Sequence, residues 1–361
     1  MKILFIDLMS PMGHKNYNYG ILKALSKHGV IDVILRRDFL DFENNGINVN
    51  EMIFIPDNYI PEILINKYKN LRFFKIGYRI NQIKCLKWIK DKIDLNKYDL
   101  VFFSSVDIIS FSLVSRFLKC RCVFVDHAIS DIDYSYLKRK AWTLLNENLE
   151  IIVLEPYIED YLREEIGVKN KIWTLPHPLP NIKEIDSFQQ NPKNEKRKVI
   201  FAPSLSNNEE FIEELIEKSG FIPDDVYIVI KSKKNSLESK NIKVYNSRIS
   251  DEEYYHLMHT CDFMLLAYDN KYNYKTSGIF FESAKLKKPI ILSANNTLMF
   301  YKNKYSGIIN EFNEFIDFLD VLNHLDEINE IQKKNEDFGK VLFDYSDEVI
   351  SNKIFEILMN N

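Results

Sequence analysis

The sequence predicts an α/β fold of two doubly wound domains, the first over residues 1–180 and the second over 198–345. Three observations carry that expectation. Short apolar runs alternate with helical patterns along the whole chain, the mark of parallel βαβ sheets. The runs fall into two successive sets of about six, each with its own helices, which makes two sheets rather than one large one. The stiff stretch Pro176-His177-Pro178-Leu179-Pro180 and a polar tract without apolar period separate the sets and read as a linker over 181–197.

In order, strands are expected at 2–7, 30–35, 52–55, 100–104, 122–126, 151–154 and 172–175. The second set falls at 199–202, 227–230, 242–245, 263–266, 290–292 and 307–309. Helices are expected at 19–27, 106–117, 134–145 and 157–165, then at 209–218, 251–259, 277–285 and 311–325. A last helix, 346–361, is expected to pack back on the first domain. Open α/β sheets bind ligands beyond the carboxyl ends of their strands, so two such domains facing across a cleft direct attention to the loops after strands.

A chain of 361 residues exceeds one ordinary core, and its 46 % apolar content can fill two. The formal charge of −4 points to no particular partner. Lys2 precedes an apolar run that Asp7 closes, too short for an export signal, and no apolar stretch approaches the ~20 residues that span a bilayer. A cytoplasmic protein is expected. Cys85, Cys120, Cys122 and Cys261 form no zinc-like spacing and read as reduced, mostly buried thiols.

The most informative loop is Tyr274-Lys275-Thr276-Ser277-Gly278-Ile279-Phe280-Phe281-Glu282, which follows a strand and opens a helix. Free amides and the positive dipole end at a helix start favour a phosphate group. Thr276 and Ser277 add hydroxyls, Lys275 adds charge, and Gly278 permits close approach. Glu282, one turn further, can accept hydrogen bonds from ribose hydroxyls. The alternative is an ordinary N-cap with a surface lysine and glutamate. Gly13 and His14 follow the first strand, and Asp126 and His127 end the fifth. Asp126 is expected to orient His127 or act as a base, against the alternative of a structural histidine. Asp131-Ile132-Asp133 is a DxD triplet in a loop, read as chance, and no metal is expected.

The segment from Tyr274 to Ile291 resembles the donor-site signature of the GT-B glycosyltransferases related to family 4, in which a small-residue turn opens a helix with a glutamate and ends in a Gly-x-Pro strand. Ser10–His14 with Gly20–Gly29 is similar to that family's glycine loop and first helix. Residues 151–178 are similar to its crossover, and 248–262 to the helix before the donor loop. The resemblance implies a nucleotide-sugar donor, a UDP- or GDP-sugar, and no other cofactor. It implies that Glu282 holds ribose and that Thr276, Ser277 and Gly278 hold the diphosphate. It further implies that His127 touches the transferred sugar and that the backbone near Arg248 reads the base.

Two departures stand out. Tyr274 occupies the place of the first of two glutamates that the family often carries. Ser204-Leu205-Ser206-Asn207-Asn208 replaces the usual Lys-Gly pair. Lys231, at a strand end, is the expected substitute, against the alternative of a solvated lysine.

Residues 67–90 hold eight Lys or Arg and no acid, with aromatics between them. Such a segment suits an anionic membrane surface; the alternative is a helix covering the sheet with its lysines in water. No nucleic-acid motif accompanies the charge. The expected activity is transfer of a sugar to an acceptor hydroxyl, on a glycan or a lipid-linked acceptor, in bacterial surface polysaccharide or glycoconjugate synthesis. The rivals are a sugar-nucleotide 2-epimerase of the same fold and a catalytically silent binding subunit.

Overall fold

The computed structural model describes residues 1–9, 14–36, 40, 42, 46–56, 72–127, 129–182, 197–247 and 249–360, with the side chains of 72–75 and 296 excepted. The chain divides into two compact units, Met1–Pro178 with Tyr345–Asn361, and Leu179–Asp344. Of the expected linker, 183–196 lies outside the described residues.

Unit 1 is a parallel sheet of strands β1 (Lys2–Asp7), β2 (Val30–Leu35), β3 (Glu51–Phe54), β4 (Leu100–Ser105), β5 (Cys122–Val125), β6 (Glu150–Val153) and β7 (Ile172–Thr174). Their order is β3-β2-β1-β4-β5-β6-β7, so the winding reverses between β1 and β4. β4 reads Leu-Val-Phe-Phe-Ser-Ser and is buried along its length, as a parallel strand covered on both faces must be. Helix α1 (Lys15–Ser26) covers β1 and β2. α2 (Arg72–Lys92), α3 (Ile108–Val114) and α4 (Tyr136–Thr143) follow, and α5 (Pro156–Asp160) opens on a proline at its first turn.

Unit 2 repeats the plan with β8 (Lys198–Ala202), β9 (Val226–Lys231), β10 (Leu237–Glu238), β11 (Ile242–Tyr245), β12 (Phe263–Leu266), β13 (Ile290–Ser293) and β14 (Ile309–Phe312). The order is β10-β11-β9-β8-β12-β13-β14, parallel except for the short β10, and it reverses between β8 and β12. α6 (Glu209–Glu217) and α7 (Asp251–Thr260) start on Asn208 and Ser250, whose side chains accept amide hydrogens of the first turn. Acids crowd both first turns and complement the helix dipole. α8 (Gly278–Lys285), α9 (Asn296–Lys304), α10 (Phe315–Asn323), α11 (Leu325–Gln332) and α12 (Asp337–Asp344) complete the unit.

The expected helix at 311–325 begins later than its apolar period implied. Residues 309–312 pair parallel with β13 as the edge strand β14, and Glu314 and Asp317 form a reciprocal cap that starts α10 at Phe315. The expected strand at 307–309 is correspondingly displaced, since Ser306–Ile308 is a single tight helical turn.

Helix α13 (Asp347–Met359) belongs to unit 1, where Ile350, Ile354, Ile357 and Leu358 join the core built on β1, β2 and α1. Lys23 bonds Asp347 at 2.6 Å at its start. At its end Arg121, held by Glu150 at 2.6 Å, donates to the carbonyls of Ile357, Leu358 and Asn360. A guanidinium on the last carbonyls satisfies groups that the helix itself leaves open.

Candidate nucleotide and sugar sites

In unit 2 the loops after β8, β9 and β12 are tied together where the winding reverses. Asn207 donates through Nδ2 to the carbonyls of Ala202 and Lys231, each at 3.0 Å, and bridges Tyr268. The amide of Asn208 donates to the Ala267 carbonyl at 2.6 Å. Ser204 Oγ accepts the Ser206 amide at 3.0 Å and also bonds the Tyr268 phenol. That phenol lies 3.0 Å from Ser277 Oγ; burial pushes its pKa up to about 12, against the lowering effect of the two serines. Ser204, Lys231 and Ser277 therefore share one end of one sheet.

Ser277 is fully buried and caps α8, its Oγ accepting the Phe280 amide at 3.3 Å. Its hydroxyl is committed to the protein, to Phe280 and Tyr268 together. Thr276 is different. Its carbonyl accepts the Tyr272 hydroxyl at 3.0 Å, while its Oγ1 is shielded from solvent and has no partner. Gly278 is exposed, and a Cβ built there meets nothing within 4 Å, so the first turn of α8 is open. Lys275 is anchored through its amide to Thr297 Oγ1 at 3.4 Å, with its ammonium 5.9 Å from the Tyr272 ring. Tyr274 adopts φ 61°, a left-handed conformation uncommon for a large side chain, and turns the chain into this loop.

Glu282 is half-buried, and its Oε2 accepts the Tyr254 hydroxyl of α7 at 2.5 Å. Burial raises the carboxyl's pKa and the Tyr254 bond lowers it, with burial the larger. Tyr254 packs its ring edge-on to Phe201. Sequence reasoning missed this tyrosine, because no motif marks a partner across two helices. In Tyr254→Phe the carboxyl loses its donor and its pKa rises further. Nucleotide affinity is expected to fall about tenfold, with the acid-side loss of binding moving to higher pH; titrations across pH measure both.

The end of α8 carries a second trace of the family pattern. Lys287 has φ 52° and stands where the resembling family has glycine; the Lys287 and Lys288 amides reach back to Ala284 and Ser283. Lys288 Nζ donates to the carbonyls of His259 and Cys261 at 2.7 Å and so caps α7. Arg248 and Gly13 lie outside the described residues. A hollow of about 450 Å³ opens beside α6 and α10 among Asn208, Phe211, Ser293 and Phe312. Its rim carries Glu210, Glu214 and Glu314, with Lys218 paired to Glu214 at 2.6 Å.

In unit 1 the corresponding position joins the ends of β1, β4 and β5. Buried Asp7 accepts the Met9 amide and Asn18 Nδ2, each at 2.8 Å, fixing α1 to the strand end. His127 Nε2 lies 3.0 Å from the Ser104 carbonyl and must donate to it, which leaves Nδ1 as an acceptor in the neutral ring. The ring stacks on His14, with centroids 3.8 Å apart, and meets Tyr17 edge-on at 4.8 Å. Tyr17 also touches His177, whose Nδ1 is 2.7 Å from the Pro178 carbonyl. The buried Tyr17 hydroxyl and Ser104 hydroxyl have no partners. The bond that orients Nε2 comes from Ser104, a role expected of Asp126; Asp126 itself is buried at the end of β5. His14 and His127 were legible as loop residues, whereas Tyr17 and His177 were not, since their approach depends on the crossover.

Burial pulls His14 and His177 down to about 4, and burial followed by the neighbouring His14 pulls His127 well below its usual range. The unfolded chain therefore binds more protons than the folded one between pH ~6.5 and ~4. Stability of unit 1 is present above pH ~6.5 and is lost as pH falls towards 4, by ~3 kcal/mol for a single such histidine. His14→Gln is expected to flatten that dependence, measurable as thermal midpoints at about pH 7 and about pH 4.5. Asp131 pairs with Lys138 at 3.0 Å and Asp133 accepts the Tyr161 hydroxyl, so both acids of the DxD triplet are engaged. All four cysteines are free thiols, with Cys120 half-buried and the others buried.

No family model matches the chain, and no curated protein matches it in sequence. Among solved structures, Anabaena HepE in complex with UDP is similar over 100 % of both chains, with 14 % identity and a TM-score of 0.66. A glycosyltransferase from Rickettsia africae gives 14 % identity and 0.62, over 100 % of this chain and 99 % of that one. An α,α-trehalose-phosphate synthase (UDP-forming) from Burkholderia vietnamiensis gives 11 % and 0.63 over 100 % of both. At these identities the likeness is one of fold, the two-sheet GT-B plan that the sequence predicted.

Proposed function

We propose that this chain is a glycosyltransferase that moves a sugar from a nucleoside-diphosphate sugar to an acceptor hydroxyl, with unit 2 holding the nucleotide. The observation that carries the reading is the sheltered, unpartnered Thr276 Oγ1 beside the open first turn of α8, where the winding of the sheet reverses. A buried hydroxyl without a partner costs free energy unless a ligand supplies one. The α8 dipole and its first-turn amides make that ligand an anion. The structural relatives lend weight, since HepE was solved with UDP and with UDP-glucose.

In this reading Thr276, the Gly278 amide, Lys275 and Lys231 meet the diphosphate, and Glu282 accepts from the ribose hydroxyls through the oxygen that Tyr254 leaves. Ser277 supports the turn from behind. The bond from the anomeric carbon to the diphosphate oxygen breaks and one to the acceptor oxygen forms, as the acceptor hydroxyl loses its proton. Negative charge accumulating on the leaving diphosphate is met by fixed amides and cations, which need no reorganisation. His127, neutral and oriented by Ser104, offers Nδ1 to a sugar hydroxyl. The acceptor belongs to a surface polysaccharide or glycoconjugate.

Calorimetry with UDP-, GDP- and CDP-sugars tests the assignment. Saturable binding of one nucleotide class, lost on Glu282→Ala with an unchanged fold, supports it. No binding of any of them sinks it and leaves a silent scaffold, while donor turnover without acceptor identifies an epimerase.

A further inference from the structure

The three helices α2, α3 and α4 form one layer of unit 1, with α3 packed between the other two. α2 buries Gln82, Cys85, Leu86 and Ile89 and leaves Ile76, Ile80, Lys84, Lys87 and Lys90 exposed. Ile76 is 52 % exposed, and Ile80, Lys84 and Lys87 continue the same stripe at helical spacing, with Lys90 beside them. α3 adds Leu113, and the tight turn that follows it adds Arg116 and Phe117, the last 61 % exposed. Leu137, 60 % exposed, Lys140 and Leu144 form the outward stripe of α4.

These stripes are joined. Lys90 Nζ lies 5.4 Å over the Phe117 ring, and Arg116 donates to the Leu144 carbonyl at 3.3 Å. Acids lie near it as well: Asp91 and Asp94 line one hollow with Lys90 and Phe117, Asp107 pairs with Arg79, and Lys138 and Tyr161 bind Asp131 and Asp133. The layer thus presents aliphatic and aromatic side chains dispersed among cations.

We propose that this face docks on an anionic lipid bilayer. Protein interfaces have apolar centres that are poor in lysine, and this surface has lysine and arginine throughout. Interfacial membrane sites combine the two kinds of side chain: cations meet acidic headgroups while Ile, Leu, Phe and Tyr enter the boundary beneath. The proposal does not rest on the nucleotide reading, and none of these side chains belongs to the candidate sites.

Flotation of the full chain with vesicles of phosphatidylcholine alone, and of phosphatidylcholine with phosphatidylglycerol, tests it. The chain is expected to float only with the anionic vesicles and to be released by salt. Each cation near such a surface is worth about fivefold in partition, so Lys84→Ala/Lys87→Ala/Lys90→Ala lowers it on the order of 100-fold. Ile80→Ser/Leu137→Ser weakens it and keeps the parent's salt sensitivity, whereas the lysine variant loses much of it, and circular dichroism confirms that both variants fold. Equal binding to neutral vesicles, absence of flotation, or variants that float unchanged overturns the proposal. So does a dimer that buries these residues, or a nucleic acid bound in place of vesicles.

Discussion

Gly278→Asp is expected to abolish nucleotide binding while leaving the protein as stable as before, or slightly more so. The two effects have opposite signs because one physical feature causes both. Gly278 is the first residue of α8, exposed, with open space where a Cβ would lie. A carboxylate there fits without a clash and meets the positive end of the helix dipole, contributing about 0.3–1 kcal/mol to the fold. The same carboxylate occupies the place proposed for the diphosphate and repels it, which costs several kcal/mol, so affinity for the nucleotide falls by at least about 100-fold. Thermal unfolding and calorimetry on one sample separate the two signs. A variant that binds the nucleotide as the parent does would show that the anion lies elsewhere, whatever becomes of Glu282.

How much of this was legible in the sequence depended on whether a feature is local. Strands such as Lys2–Asp7, Val30–Leu35 and Phe263–Leu266 match their expected bounds, because a run buried on both faces and closed by polar residues has one good solution. Helices α9, α11 and α12 were not anticipated; their patterns are short, and their packing is set by neighbours distant in the chain. At the donor loop the residue types were readable, yet their division of labour was not. Ser277 and Thr276 are adjacent hydroxyls, and only the position of Tyr268 decides that the first is consumed inside the protein. In the same way Glu282 was visible, but its Tyr254 partner on α7 depends on how two helices meet. Lys287 shows a motif surviving as geometry: the resembling family's glycine is gone, and the left-handed turn that it serves remains.

The histidine at the end of β5 supplies the other large effect. With Nε2 fixed on the Ser104 carbonyl and the ring stacked against His14, His127 can offer only Nδ1 to a ligand, as an acceptor. His127→Ala removes that acceptor and opens a gap beside Tyr17. Sugar transfer is expected to fall by about 10²–10³ in kcat, the range for removing one preorganised hydrogen-bonding group from the transition state. Affinity for the nucleotide, whose proposed contacts all lie in unit 2, is expected to stay within about twofold, a change small against the ~1.4 kcal/mol that separates tenfold differences. The pH profile adds a second reading. Burial and His14 hold the His127 pKa well below the usual histidine value, so the parent's rate should stay level as pH falls through 6.5, where an ordinary histidine would gain its proton. A rate that halves near pH 6.5 in the parent and not in the variant would mean that the ring is solvated. Equal kcat in parent and variant would make His127 a structural residue of the β4 and β5 strand ends, and the group that touches the sugar would have to be sought elsewhere.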